Sequence, residues 1–426
     1  MNEHSSLDRL FDRYAHLLVH HGAGLRPGQT LYLQAEVSQR DLAYRVAEAA
    51  YDAGAADVSV WLIDPRLRAQ GIRRARPELV EARTAREALW YEEILRVRGA
   101  LVSLRGDEDP RLMPELAEAE PERHGVYTRG QSRKGKIFLH HGVNRSLCPW
   151  VVAGAATPAW GQLVFPDLSS EEAHERLWRE IFAFTRADRA DALDALAEKD
   201  RRLHARRRLL NALEIRELRI VGGGSDLRVR LSDRAQWLGG SKTTVDGQTF
   251  NANVPSEENF TTPDRRATEG TLVATMPFRT KSGLLVEGLT LRFEAGRVVD
   301  FDATRGGDGF RRWIDSDDGG RFLGEFALVG ADSPIAQSGL FFEHTLFDEN
   351  AWSHVALGQA YTTALQGGED LTSDQLAAVG CNHSVIHTDI MFGSPEVSVI
   401  ATETARGEVL LLDKGHWVEP FKEATD

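Results

Sequence analysis

The hydrophobic positions of the first third alternate between two periods. Leu7, Leu10, Phe11, Tyr14, Leu17 and Leu18 recur at helical spacing, and Gly22, Gly24 and Pro27-Gly28 end that run. The run TLYLQAE (Thr30 to Glu36) reads as a buried strand. RDLAYRVAEAAYDAGA (Arg40 to Ala55) reads as a helix closed by Gly54. DVSVWLID (Asp57 to Asp64) and GALVSLRG (Gly99 to Gly106) read as two further strands. Strand, helix and strand in this order predict a right-handed βαβ unit and a parallel sheet. A less regular stretch reaches VFPD (Val164 to Asp167). Ser169 with Glu172 then forms a capping-box pattern, opening one or two helices between Glu171 and Leu213 that join the halves.

The texture changes from Ile215. Short β-rich runs alternate with turn residues: LRIVGGGSDLRVRL, KTTVDGQTF and LLVEGLTLRFEAGRVVDFDA, with hairpin turns expected at Asp246-Gly247 and Glu294-Ala295-Gly296. A helix is expected over Ala351 to Leu365. The fold class is therefore an α/β N-terminal domain with a parallel sheet, residues 1–214 with a helical linker. An α+β, mainly antiparallel domain follows over residues 215–426, and it is the expected catalytic one.

Composition narrows the function. The formal net charge is −13, which argues against nucleic acid as a partner because phosphate binding needs a cationic surface. Arg206-Arg207-Arg208 lies in a helical, charge-rich stretch and reads as a solvated helix face. Two cysteines, Cys148 and Cys381, give neither a disulfide framework nor a CxxC metal site and fit a reducing cytoplasm. The start MNEHSSLDRLFDRY lacks a signal-peptide pattern, and no run of about 18 apolar residues offers a membrane span.

Metal-ligand residue types concentrate in four segments of the second half. NVPSEENFTTPD (Asn253 to Asp264) carries Glu257 and Glu258, which point to opposite faces if extended; as an isolated pair they read first as solvated loop carboxylates. RFLGEFALVG (Arg321 to Gly330) places Glu325 in an apolar strand. A buried carboxylate there needs a partner or a metal, and a solvent-facing edge strand is the equal alternative. In LFDENAWSHVALGQAYTTAL (Leu346 to Leu365) the expected helix sets His354, Gly358 and Tyr361 on one face, with Asp348 as its cap. NHSVIHTDIMFG (Asn382 to Gly393) puts His387 and Asp389 two apart on a strand, facing one way. Glu258, Glu325, His354, His387 and Asp389 together offer nitrogen and oxygen ligands suited to zinc, cobalt or manganese. Five ligands exceed the needs of one open site, and a shared carboxylate would admit two ions roughly 3.5–4 Å apart.

These four segments, in this order, resemble the signature blocks of the thermophilic aminopeptidase family, the aminopeptidase T and aminopeptidase S metallopeptidases. LRPGQTLYLQAE, AAYDAGAADVSVWLID and GQLVFPDLSSEEAHERLW resemble its less specific N-terminal blocks, so the likeness covers nearly the whole chain. The resemblance implies that Glu258 is the first metal ligand and that Glu325 bridges two metals. His354 would be a ligand, Tyr361 a residue placed at the site, and His387 with Asp389 the closing ligand pair. It further implies removal of N-terminal residues from short peptides, zinc or cobalt as the two divalent ions (with manganese or magnesium as further options), and a homodimer. In this reading Glu258, Glu325 and Tyr361 carry the catalysis. Glu257, Glu258 and Glu325 stay open as the proton acceptor, and Asp348, Glu349 and the backbone as acceptors for the second nitrogen of His387. The chain departs from the family pattern at Asn259, Trp352 and Ile390, none a ligand; Trp352 bears on pocket size.

Three other readings lack their motifs. VGGGSD (Val221 to Asp226) has no Gly-Lys-Ser/Thr ending and reads as a tight turn, the parallel sheet has no G-x-G-x-x-G, and no G-x-S-x-G elbow is present. A related ring-cleaving iron dioxygenase, using His354, His387 and Asp389 as a facial triad, is the rival enzyme, and an inactive homologue the rival non-enzyme.

Overall fold

A computed structural model describes residues 3–280 and 283–424 of the chain. Two compact units form: Met1–Ala197 with Ser241–Pro255, and Glu198–Gly240 with Ser256–Asp426.

The first unit is built on a parallel sheet. Its strands are β1 (Thr30–Glu36), β2 (Asp57–Ile63), β3 (Ala100–Arg105) and β4 (Trp150–Gly154), in the order β2-β1-β3-β4, extended by the short strand Asn253–Val254. The centre of β1 is buried throughout, as expected for a strand covered on both faces. The helix Glu3–Leu17 and the helix Arg40–Asp52 fall where the periodicity places them, and Gly54 follows the latter at φ +87°, where a side chain would be strained. The stretch expected to be irregular is instead ordered. It holds the helices Leu112–Ala119 and Pro121–Ile137, and then β4. The helix Pro121–Ile137 starts with proline in its first turn, but its sequence, GVYTRGQSRKGK, shows no apolar stripe to betray it.

The second unit carries two antiparallel sheets. The larger runs through Arg297–Asp302, Thr290–Glu294, Pro263–Val273, Ser225–Leu231, Glu217–Gly222, Val397–Glu403, Val409–Asp413 and His416–Trp417. Its strands Glu217–Gly222 and Ser225–Leu231 close on Gly223 and Gly224, both at positive φ, so VGGGSD is a hairpin turn. The smaller sheet consists of β5 (Asn259–Thr261), β6 (Leu323–Leu328), β7 (His354–Gly358) and β8 (His387–Met391), neighbours in that order. Leu218, Ile220, Leu227 and Val229 of the larger sheet and Phe326, Leu328, Val355, Leu357 and Ile390 of the smaller share one core. Burial of each such side chain contributes about 1.5–3 kcal/mol before the entropy cost of ordering it.

The expected helix over Ala351 to Leu365 is not there. Residues His354–Gly358 are the central strand β7, paired with β6 on one side and β8 on the other. Short apolar runs such as HVALG do not distinguish strand from helix, and pairing on both edges decides the matter. Gly358 sits at φ +106°, outside helical geometry, and a Cβ there would lie 2.2 Å from the Ile386 carbonyl oxygen. Asp348 therefore caps no such helix. It closes the short helix Thr345–Asp348, where its carboxylate accepts the N–H groups of Phe342 (2.9 Å) and His344 (2.8 Å).

Candidate metal centre

Strand alternation sorts the smaller sheet into two faces. Phe326, Val355, Leu357 and Ile390 point into the core. Their neighbours Glu325, His354, Ala356, Gly358, His387 and Asp389 therefore share the opposite face. Register aligns them: Glu325 is opposite Ala356, which is opposite Asp389, and Gly358 is opposite His387. On the central strand Ala356 and Gly358 thus stand between the candidate side chains of β6 and β8. Glu258 precedes β5 by one residue, two positions before Phe260, which is opposite Ala327 of β6.

The side chains converge as two triads. Glu258, Glu325 and His354 offer ligand atoms that lie within 4.8 Å of one another, and so do Glu325, His387 and Asp389. Glu325 belongs to both. His354 Nε2 lies 3.5 Å from Glu258, and His387 Nε2 lies 3.3 Å from Glu325 and 3.2 Å from Asp389. Glu325 is 3% exposed and lies in an interior strand, so the solvent-facing edge position is ruled out.

Three buried carboxylates in one place are costly unless cations compensate them. The pKa of His387 reflects this. Burial pushes the imidazole down, but Asp389 and Glu325 overcome it and raise the group to about 10. The donors also fit a divalent cation. The Nδ1–H of His387 donates to the Gln359 carbonyl at 2.8 Å, and His354 Nδ1 lies 3.3 Å from the Trp352 carbonyl. Each contact leaves Nε2 turned toward carboxylates, the tautomer a metal requires. Of the acceptors weighed for His387, the backbone is the one used.

Tyr361 follows β7, its ring centroid 5.2 Å from that of His387. Burial, then the charges of Glu325, Asp389, Glu349 and Glu258, raise its hydroxyl well above the ordinary tyrosine value, so it stays protonated. Glu257 instead bears on the buried Arg206 guanidinium, in keeping with opposite orientations of the two adjacent glutamates. Trp352, the departure expected to affect pocket size, packs against Gly415.

The model of the thermophilic metalloprotease (M29) family matches residues 7–417. The chain belongs to the M29 family. It is 38% identical to aminopeptidase T of Thermus aquaticus, over 96% of this chain and 98% of that one. It is 34% identical to aminopeptidase 2 of Geobacillus stearothermophilus, over 96% and 98%. Its fold matches the solved structure of wild-type AmpT from Thermus thermophilus with a TM-score of 0.87 at 35% identity, covering 96% of this chain and 99% of that one. This M29 protein is thus a metalloaminopeptidase, a hydrolase acting on peptides and using a divalent metal. The ring-cleaving dioxygenase reading finds no support, since the matched family and these relatives are peptidases. Among the described residues of this M29 enzyme, no helix is long and apolar enough to cross a membrane.

Sequence reasoning missed the groups that brace the candidate centre: the Gln359 carbonyl, which accepts from His387, then Asn382, and Asn350, which accepts the Glu257 N–H. Asn382 is fully buried and donates to the carbonyls of Gly319 (2.8 Å) and Gly358 (2.6 Å), tying the segment before β8 to the end of β7. Such amides bear no chemistry that a composition or spacing argument detects.

Proposed function

We propose that this M29 aminopeptidase releases the N-terminal residue of short peptides with two divalent ions that share Glu325. The observation that carries this reading is the membership of Glu325 in both ligand triads. Glu258 and His354 would hold one ion with Glu325, and His387 and Asp389 the other. Zinc or cobalt suits this mixed nitrogen and oxygen set. When bound, the ions supply Lewis acidity toward the scissile carbonyl and acidify the attacking water.

The chain's own residues do the rest. Of the three glutamates weighed as proton acceptor, Glu258 and Glu325 belong to the triads and stand to take the proton of the attacking water. Tyr361, kept protonated, donates a hydrogen bond to the developing oxyanion. Gln359 fixes His387 in the tautomer that exposes Nε2. Recognition of the free α-amine by the same centre restricts cleavage to the chain terminus. A homodimer and a cytoplasmic setting accompany this proposal, the latter in keeping with two buried, free cysteines.

The test is release of p-nitroaniline from leucine-p-nitroanilide by metal-free protein, with and without cobalt or zinc, beside an N-acetylated control. Metal-dependent cleavage of the free-amine substrate alone is expected. Equal cleavage of the acetylated compound, or none despite bound metal, would overturn the proposal.

A further inference from the structure

The carboxylate of Glu258 is the one candidate ligand not carried by a paired strand residue. It sits at the end of a stretch outside the strands, Ser256 to Glu258, so something other than the sheet ladder must hold it. Two buried side chains grip that stretch. Asn350, fully buried, accepts the Glu257 N–H through Oδ1 at 2.6 Å. Its Nδ2 donates to the Leu346 carbonyl at 2.9 Å, which fixes the orientation of the amide, and its own carbonyl accepts from Ser333 Oγ at 2.7 Å. From the helix Ala192–Ala212, Lys199, 6% exposed, donates to the Ser256 carbonyl at 2.5 Å. The next residue, Asn259, is anchored on the same helix by donation to the Leu203 carbonyl at 3.0 Å.

We infer that Asn350 and Lys199 are positioning residues that hold the Glu258 carboxylate against His354, and that they govern one metal position selectively. This inference rests on the proposed ligand role of Glu258. None of these bonds reaches Glu325, His387 or Asp389, and those three side chains are carried by the paired strands β6 and β8. Removing the grip frees the Ser256–Glu258 stretch to move, and a ligand that must be ordered on binding binds its ion more weakly. A merely structural role for Asn350, as a brace of the Thr345–Asp348 turn, would lower stability and disturb both positions alike.

The two roles separate in a calorimetric titration of chelator-treated full-length protein with zinc, combined with thermal melts of the metal-free form. Wild type is expected to take two zinc ions per chain. Asn350→Ala should keep one at wild-type affinity and bind the other about 10- to 100-fold more weakly, with the metal-free melting temperature little changed. Asn350→Asp, which retains an acceptor for the Glu257 N–H, should recover most of the loss. Lys199→Met, similar in length but without the donor, should weaken the same position, and it carries the test should Asn350→Ala not fold. Wild-type affinity at both positions in Asn350→Ala and Lys199→Met overturns the inference. So does parallel weakening of both positions with a large fall in melting temperature. Fewer than two zinc ions on the wild-type protein would instead overturn the ligand reading, and this inference with it.

Discussion

The parallel sheet of the first unit and the four-stranded sheet of the second both bury polar side chains, but they compensate them differently. In the parallel sheet Gln34 accepts from Ser103 (3.2 Å), Tyr91 (3.4 Å) and Arg105 (3.4 Å), and Gln39 donates to the Gly106 carbonyl at 2.9 Å. These groups are mostly neutral and satisfy one another. The carboxylate at the end of β1, Glu36, is raised to about 7 by burial and by Asp107 and Glu108, against the Glu108 N–H it accepts. Such a group can lose its charge by taking up a proton. In the four-stranded sheet, Glu258, Glu325 and Asp389 crowd together around two imidazoles. A sheet that gathers carboxylates on the face opposite its core is arranged for cations rather than for stability.

The largest test of this contrast is to remove the shared charge. Glu325→Gln should lower kcat/KM on a free-amine substrate by on the order of 10³-fold, about 4 kcal/mol at the transition state. The variant should still fold, as circular dichroism would report, because the amide costs less to bury than the carboxylate. Normal activity in this variant would erase the distinction between the sheets. His387→Ala should lose activity similarly.

Tyr361→Phe removes a donor without touching a ligand. A fall in kcat of about 10²-fold is expected, with zinc affinity unchanged by calorimetry.

The raised imidazole predicts proton linkage. Metal-free His387 holds its proton up to about pH 10. Its folded pKa exceeds the unfolded value, so the stability it contributes to the metal-free protein is full below about pH 6.5 and is lost as pH rises through about 10. Under the proposed ligand role zinc would displace that proton, so apparent affinity should rise by up to about tenfold per pH unit between 7 and 10. Calorimetry at pH 8 in buffers of different ionisation enthalpy should show proton release. Identical apparent enthalpies would count against it.

The smallest expected effect lies in the first unit. Glu36 also has a raised folded pKa, so its contribution is full below about pH 4.5 and declines as pH rises through about 7. Glu36→Gln should flatten that part of the stability profile in urea titrations and leave zinc binding and turnover as they were.

The sequence makes the parallel sheet legible because TLYLQAE, DVSVWLID and GALVSLRG are apolar runs bounded by turns. It makes the candidate ligands legible because Glu258, Glu325, His354, His387 and Asp389 stand in recognisable blocks, and the structure brings those five together. The carrier of His354 was not legible. HVALGQAYTTAL has the alanine and leucine content of a helix, and a helix and a strand both place residues i and i+4 on one side, so the correct grouping of His354 with Gly358 followed from the wrong element. Asn350, Asn382 and the Gln359 carbonyl were invisible for a different reason. Their roles come from which backbone groups they meet after folding, and nothing local in sequence records that.

The central claim is a pair of ions bridged by Glu325, and anomalous diffraction from zinc-loaded crystals tests it most directly. Two anomalous peaks per chain are expected, both within coordinating distance of the Glu325 carboxylate, one beside Glu258 and His354 and one beside His387 and Asp389. A single peak at full zinc loading, or two peaks of which only one is bound by Glu325, would contradict it.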